Sequence, residues 1–179
     1  MMAPRLFQNM EKTPFLTTFT ATSRQAPSLL IAFCVLTFGS FTALAQGNLK
    51  RPISTDKAPK PLTGVYSQGI EARGTMVFCA GQIGQTLEGT FAGDDVVSQL
   101  RQAFANIQAV LASANCSLDH VVKITIYLKN MDDFTAMNEA YTAVFKQAGV
   151  TTLPARTTVE VARLPRDAKI EIDAIAVKP

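Results

Sequence analysis

The chain has 179 residues, with 17 Lys and Arg against 14 Asp and Glu, a single histidine and three cysteines. Setting aside Arg5, Lys12, Arg24 and Glu11 with the N-terminal segment leaves 14 basic and 13 acidic side chains, so the formal charge of +3 falls to +1. That near-neutral remainder lacks the clustered cations of a nucleic-acid surface, and the shortage of His and Cys excludes a His/Cys metal centre and leaves any Ser-His or Cys-His nucleophile pair one candidate base.

Arg5, Lys12 and Arg24 precede an apolar run from Leu29 to Phe38, and Ala43-Leu44-Ala45 follows with the small-residue spacing of a signal-peptidase site. The run is shorter than the ~20 apolar residues of a membrane-spanning helix. Residues 1–45 are therefore expected to be a signal peptide cleaved near Gln46, giving a periplasmic or secreted protein with no stable membrane association after cleavage; an uncleaved anchor is the alternative. Residues 46–63, with Pro52, Pro59, Pro61, Lys57 and Lys60, predict an irregular lead-in. Residues 64–179 suffice for one domain with a buried core.

Within that domain, Tyr66 to Ile70 and Thr75 to Ala80 predict two short strands joined as a hairpin by Glu71-Ala72-Arg73-Gly74. Gly84 to Gly93 predicts a loop. Asp94 or Asp95 then caps a helix to about Ser113, with Val97, Leu100, Phe104, Ile107 and Leu111 on one stripe. His120 stands at a loop–strand junction before the strand Val121 to Leu128. A second helix, capped by Asp132 or Asp133 and stopped at Gly149, carries Phe134, Met137, Tyr141, Val144 and Phe145 on one face. Both stripes are read as core. Cys34 belongs to the signal; Cys79 and Cys116 are read as reduced thiols, the first a small buried hydrophobe, although export permits a disulfide.

The last quarter carries the chemistry. Arg156 stands at the mouth of one strand, and Glu171 and Asp173 share a face of the next with Ile175 and Val177, while Ile170, Ile172, Ala174 and Ala176 share the face suited to lie under the helices. Carboxylates beside Ile175 and Val177 suit a face covered by another subunit, with the polar groups lining a cleft there. The element order β-β-α-β-α-β-β predicts an α+β fold, a single-layer mixed sheet with two helices packed on one face. An arginine fork can grip a small carboxylate bidentately, and a nearby carboxylate can steer a water.

Several motifs occur together and in order: Gly64-Val-Tyr-Ser-Gln68, Ala80-Gly-Gln-Ile83, Asn138, Pro154-Ala-Arg-Thr-Thr-Val-Glu-Val-Ala-Arg-Leu-Pro165 and Ile170-Glu-Ile-Asp-Ala-Ile-Ala-Val177. With them the chain, from about Ser54 to its end, resembles the Rid family of reactive-intermediate enamine/imine deaminases, once called YjgF proteins. The resemblance implies a chorismate-mutase-like homotrimer with clefts between subunits, no cofactor, and hydrolysis of small 2-imino acids to 2-oxo acids and ammonia. It places the family's carboxylate-binding arginine on Arg156, its water-orienting glutamate on Glu171 and its cleft tyrosine on Tyr66, with Gly81 and Asn138 lining the pocket. The chain departs from the family at Val65, where proline is usual, at Ala80 for serine, at Gly84 for proline, at Thr158 for a frequent cysteine and at Asp173 for glutamate. Two other readings stay open: a non-catalytic trimeric carboxylate-binding or chaperone-like module, and a ribonuclease, which a +1 domain with one histidine equips poorly.

Overall fold

The computed structural model describes residues 49–61 and 64–179; the expected signal segment and its cleavage point lie outside them. Eight strands and helices follow in chain order: β1 (Lys50–Ile53), β2 (Gly69–Ala72), β3 (Thr75–Ile83), α1 (Val96–Ser113), β4 (Val121–Leu128), α2 (Phe134–Gln147), β5 (Ala155–Glu160) and β6 (Ile170–Lys178). Two expectations are corrected at the start. Lys50–Ile53, inside the stretch read as irregular, is a strand, and β2 pairs antiparallel with it rather than forming a hairpin with β3. The cause is an anchor that composition conceals: the Lys50 ammonium donates to the Val121 and Thr152 carbonyls at 3.1 and 2.9 Å, fixing β1 as a partner. Burial lowers the Lys50 pKa, and Asp119 opposes that shift. Pro52, lacking an N–H, is tolerated in this two-stranded edge pair.

The main sheet is mixed, in the order β3-β6-β4-β5. β6 runs antiparallel to both β3 and β4, and β4 runs parallel to β5, as expected of strands joined through a helical crossover, here α2. Alternation along β6 is expressed in burial: Ile170, Ile172, Ala174 and Ala176 are buried, and Glu171, Asp173 and Ile175 are only half so. The buried set joins Leu100, Phe104, Ile107 and Leu111 of α1 and Met137, Ala140, Tyr141 and Phe145 of α2 in one core. Phe104, Tyr141 and Phe145 form a ring triplet with centroids 4.7 to 5.9 Å apart, a packing worth about 0.5–1.5 kcal/mol per pair beyond area burial.

Helix starts follow side-chain capping. Asp95 accepts from the Ser98 N–H at 2.8 Å and begins α1. At α2 the expected aspartate cap is replaced: a 3-10 turn, Met131–Asp133, precedes the helix, and Asn130 caps that turn by accepting from the Asp132 N–H. Asp133 occupies the α2 N-cap position with no side-chain cap bond. Gly149, at φ +69°, ends the helix as expected. His120 closes a short 3-10 turn before β4, its Nδ1 accepting from the Ser117 N–H at 2.9 Å. Cys79 and Cys116 are both buried and free. Val177 departs from its expected company: it is buried within the chain, close beside Gly74, so it is no part of a face awaiting a partner.

Candidate functional site

Two clusters of chemistry-bearing side chains result, and they lie on opposite faces of one sheet. In the β4–β5 ladder, Arg156 stands across from Ile124 and Thr158 from Ile126. Ile124 and Ile126 are fully buried in the core beneath the helices, and residues directly opposite in a ladder point to the same side, so Arg156 and Thr158 face the helices. In the β4–β6 ladder Glu171 stands across from Tyr127 and Asp173 from Thr125, which puts both carboxylates on the other face. A single chain therefore does not bring Arg156 and Glu171 together, which corrects the reading of the two strands as one pairing.

On the helix side, Arg156 is enclosed by aromatic rings. Its guanidinium carbon lies 4.8 Å from the centroid of Tyr141, 5.5 Å from Tyr66 and 5.9 Å from Phe134. Cation–π attraction in a desolvated setting contributes about 2 kcal/mol or more. Tyr66 is held there by its neighbour: the Ser67 N–H donates to the Pro154 carbonyl at 3.0 Å and its hydroxyl to the Leu153 carbonyl, stitching the segment to the start of β5. Phe134, Asn138 and Tyr141 recur at four and three residues along α2, so Asn138 shares a helix face with the two rings that lie against Arg156. Burial lowers the Arg156 pKa, with Tyr141 and Tyr66 acting in the opposite sense. Burial likewise raises that of Tyr141, against the pull of Arg156.

What distinguishes this cluster is the hydrogen bonding it lacks. Arg156 Nη1, Asn138 Oδ1, Tyr141 Oη and Thr158 Oγ1 are all buried without a partner, and among the described residues no carboxylate pairs with Arg156. A buried polar group left unsatisfied costs about 1–3 kcal/mol, and a charged one more. The four atoms belong to α2 and β5 and carry unused hydrogen-bonding capacity. Tyr141 and Phe134, read from the sequence as core, are so: Tyr141 is fully buried in the core and Phe134 packs against it, and both also place their rings against Arg156.

On the opposite face Glu171 lies over Gly81. A Cβ at position 81 would fall 1.9 Å from Glu171 Oε1 and 2.8 Å from its carboxyl carbon, so only glycine leaves the carboxylate where it is. Gly81 sits in an irregularity of the β3–β6 ladder between Cys79 and Gln82, a device that re-aims neighbouring side chains. Next along the face the Tyr127 hydroxyl donates to Asp173 at 2.9 Å, and that bond is the first cause of the raised Tyr127 pKa. Lys123 donates to the Thr157 hydroxyl; burial lowers its pKa, partly offset by Asp173. Beside these polar groups Met76 and Phe78 are 45% and 72% exposed, Phe78 standing across from Ile175.

Residues 55–178 match the family model described as endoribonuclease L-PSP. Over 131 residues the chain is 47% identical to a RutC family protein of Pyrococcus horikoshii, covering 73% of this chain and 99% of that one. It is 40% identical over 130 residues to the 2-iminobutanoate/2-iminopropanoate deaminase of Salmonella typhimurium, with 73% and 99% covered. Among solved structures it resembles E. coli TdcF with bound serine, at TM-score 0.56 and 38% identity over 72% of this chain and 99% of that one. The YjgF gene product of E. coli is similar at TM-score 0.56 and 40% identity, with the same coverage.

Proposed function

Because this chain belongs to the Rid family, we propose that it is an exported enamine/imine deaminase, hydrolysing small 2-imino acids to 2-oxo acids and ammonia in a cleft shared between copies of the chain. The observation that carries the reading is the half-buried Arg156 guanidinium, with no acid paired to it among the described residues and a buried Nη1 without a partner. A substrate carboxylate supplies the missing counter-charge through parallel hydrogen bonds, which lysine's single point charge does not reproduce. The relatives named 2-iminobutanoate/2-iminopropanoate deaminase and the serine-bound relative support a substrate of that size and charge.

Opposite-face placement supports an assembly of several copies. The arginine of one copy meets the glutamate of another when the open face of β6 is covered by the edge of a neighbouring sheet, and the exposed Met76 and Phe78 with Ile175 provide the apolar contact for it. We assign the assembly as a homotrimer. In the cleft Glu171 accepts a hydrogen bond from a water and aims its lone pair at the imine carbon. The water oxygen bonds to that carbon, a proton passes to nitrogen, and the C–N bond of the tetrahedral adduct breaks to release ammonia and leave the 2-oxo acid. The protonated imine is already electrophilic, so placement does most of the work.

RNA cleavage is the weaker reading, since the one histidine is engaged in capping the turn before β4 and stands in neither cluster. The deciding experiment is ammonia release from imines generated in situ by an amino-acid oxidase, comparing mature protein with Arg156→Ala. Release by the parent and its loss in the variant are expected; binding of 2-oxo acids with no release would instead establish the non-catalytic carboxylate-binding module. Fractionation checks export: a mature N-terminus near Gln46 in the periplasm or medium is expected, and full-length chain in the cytosol would reject it.

A further inference from the structure

We infer that Gln99, a buried residue of α1 outside both clusters, is a positioning residue that holds Glu171 over Gly81; this rests on the role proposed for Glu171. Gln99 is the one buried polar or charged residue among those described, 3% exposed, and both ends of its amide are used. Its Nε2 donates to the Gly93 carbonyl at 2.9 Å, and its Oε1 accepts from the Lys169 N–H at 2.8 Å. Gly84 lies against its stem so closely that a Cβ there would fall 2.4 Å from the Gln99 Cα and Cβ.

These three contacts are the two ends of one loop and the entry of one strand. Gly84 and Gly93 bound the connection between β3 and α1, and Ala92 N–H to the Gly84 carbonyl at 2.9 Å closes it. Lys169 precedes β6 and stands two residues before Glu171, while Ile83, paired with Glu171 in the ladder, stands two residues after Gly81. One amide thus fixes the spacing between the strand that carries the carboxylate and the chain that floors it. A second tie runs parallel: Arg166, in the left-handed region at φ +55°, donates to the Gly89 carbonyl at 2.8 Å and places its guanidinium 5.8 Å from the Phe91 ring centroid. Lys129 pairs with Asp167, also left-handed at φ +64°, at 2.6 Å. The left-handed turn before β6 is therefore tied to that loop through Arg166 and to the end of β4 through Asp167.

In the proposed reaction water attack depends on the placement of Glu171, whereas carboxylate binding depends on Arg156, with which Gln99 forms no hydrogen bond. Gln99→Leu removes both hydrogen bonds at similar volume, and the expected result is a fall in kcat on the order of 10²-fold, as for misplacement of a reacting group by about 1 Å, with KM changed less than about threefold. Gln99→Glu gives the rescue: its ionised carboxylate still accepts from Lys169 but cannot donate to Gly93, and protonation restores that donor. Its kcat relative to parent should rise as pH falls, and that of Gln99→Leu should not. Gln108→Leu, the same change at an exposed α1 position, is the control.

Amide hydrogen exchange over residues 84–93 and the NMR shifts of the Gly81 and Glu171 amides read the clamp without any turnover assay. Faster exchange and shifted resonances in Gln99→Leu, with parent-like behaviour in Gln108→Leu, are expected. Unchanged exchange and shifts, a loss expressed in KM alone, or the same pH response in both Gln99 variants would overturn the assignment. A parent that hydrolyses no imine but shows the clamp in exchange would refute the proposed activity and leave the clamp standing.

Discussion

The two faces of the main sheet handle charge in opposite ways. On the helix side the half-buried Arg156 lies against Tyr66, Phe134 and Tyr141, with no acid paired to it among the described residues and buried polar atoms of α2 and β5 left without partners. On the other face Glu171 and Asp173 are half-exposed, Tyr127 already donates to Asp173, and the surroundings include exposed apolar residues. The first face has a cation without a paired anion, and the second has its carboxylates, with Lys123 near Asp173, beside an uncovered apolar patch. Leaving a partly desolvated charge unpaired is costly, a cost that the proposed ligand and second copy would relieve.

That contrast can be broken from either side. The largest effect is expected from Phe78→Asp, which puts a charge into the proposed contact: sedimentation should report dissociation to monomer, and imine hydrolysis should fall to near background. A monomeric parent at micromolar concentration would remove the shared cleft altogether. Arg156→Lys should lower kcat/KM by about 10- to 100-fold, the equivalent of one charged hydrogen bond of about 1.5–3 kcal/mol, and steady-state ammonia release measures it. Parent-like rates would show that charge without the fork suffices.

Complementation is the most direct test of opposite-face placement. Arg156→Ala and Glu171→Gln chains are each expected to be inactive, but refolded together in equal amounts they should regain about a quarter of parent activity, since random assembly gives that fraction of clefts both intact halves. No recovery would mean that one chain closes its own site. Gly81→Ala should slow turnover about tenfold with little change in binding, because the added methyl displaces the Glu171 carboxylate and a 1 Å misplacement can cost up to about 100-fold.

The smallest effect is expected at Tyr141. Burial holds its folded pKa above the unfolded value, so the native state keeps the phenolic proton that the unfolded chain releases. Its contribution is complete below about pH 10, where an exposed tyrosine titrates, and is lost as pH rises through the folded value. Tyr141→Phe should change neutral-pH stability by about 1 kcal/mol or less and flatten the alkaline loss, which denaturant titration at several pH values would detect.

Much of this architecture could be read along the chain. The apolar stripes of both helices, the alternation of β6 and the Gly149 stop are short-range patterns, and each residue's role there follows from periods of 3.6 and 2.0. Arg156, Glu171, Tyr66, Gly81 and Asn138 stand out in the sequence through side-chain type and the resemblance in their motifs, and the roles proposed for them rest on that. The sequence could not show that β2 pairs with β1, because that depends on Lys50 reaching carbonyls of Val121 and Thr152, 71 and 102 residues away. Nor could it relate Arg156 to Glu171. Parity within a strand is a property of the sequence, but parity between two strands is set by ladder register, here Ile124 against Arg156 and Tyr127 against Glu171. A slip of one residue in either ladder would turn the two onto the same face, and only packing of Ile124 and Ile126 into the core decides against it.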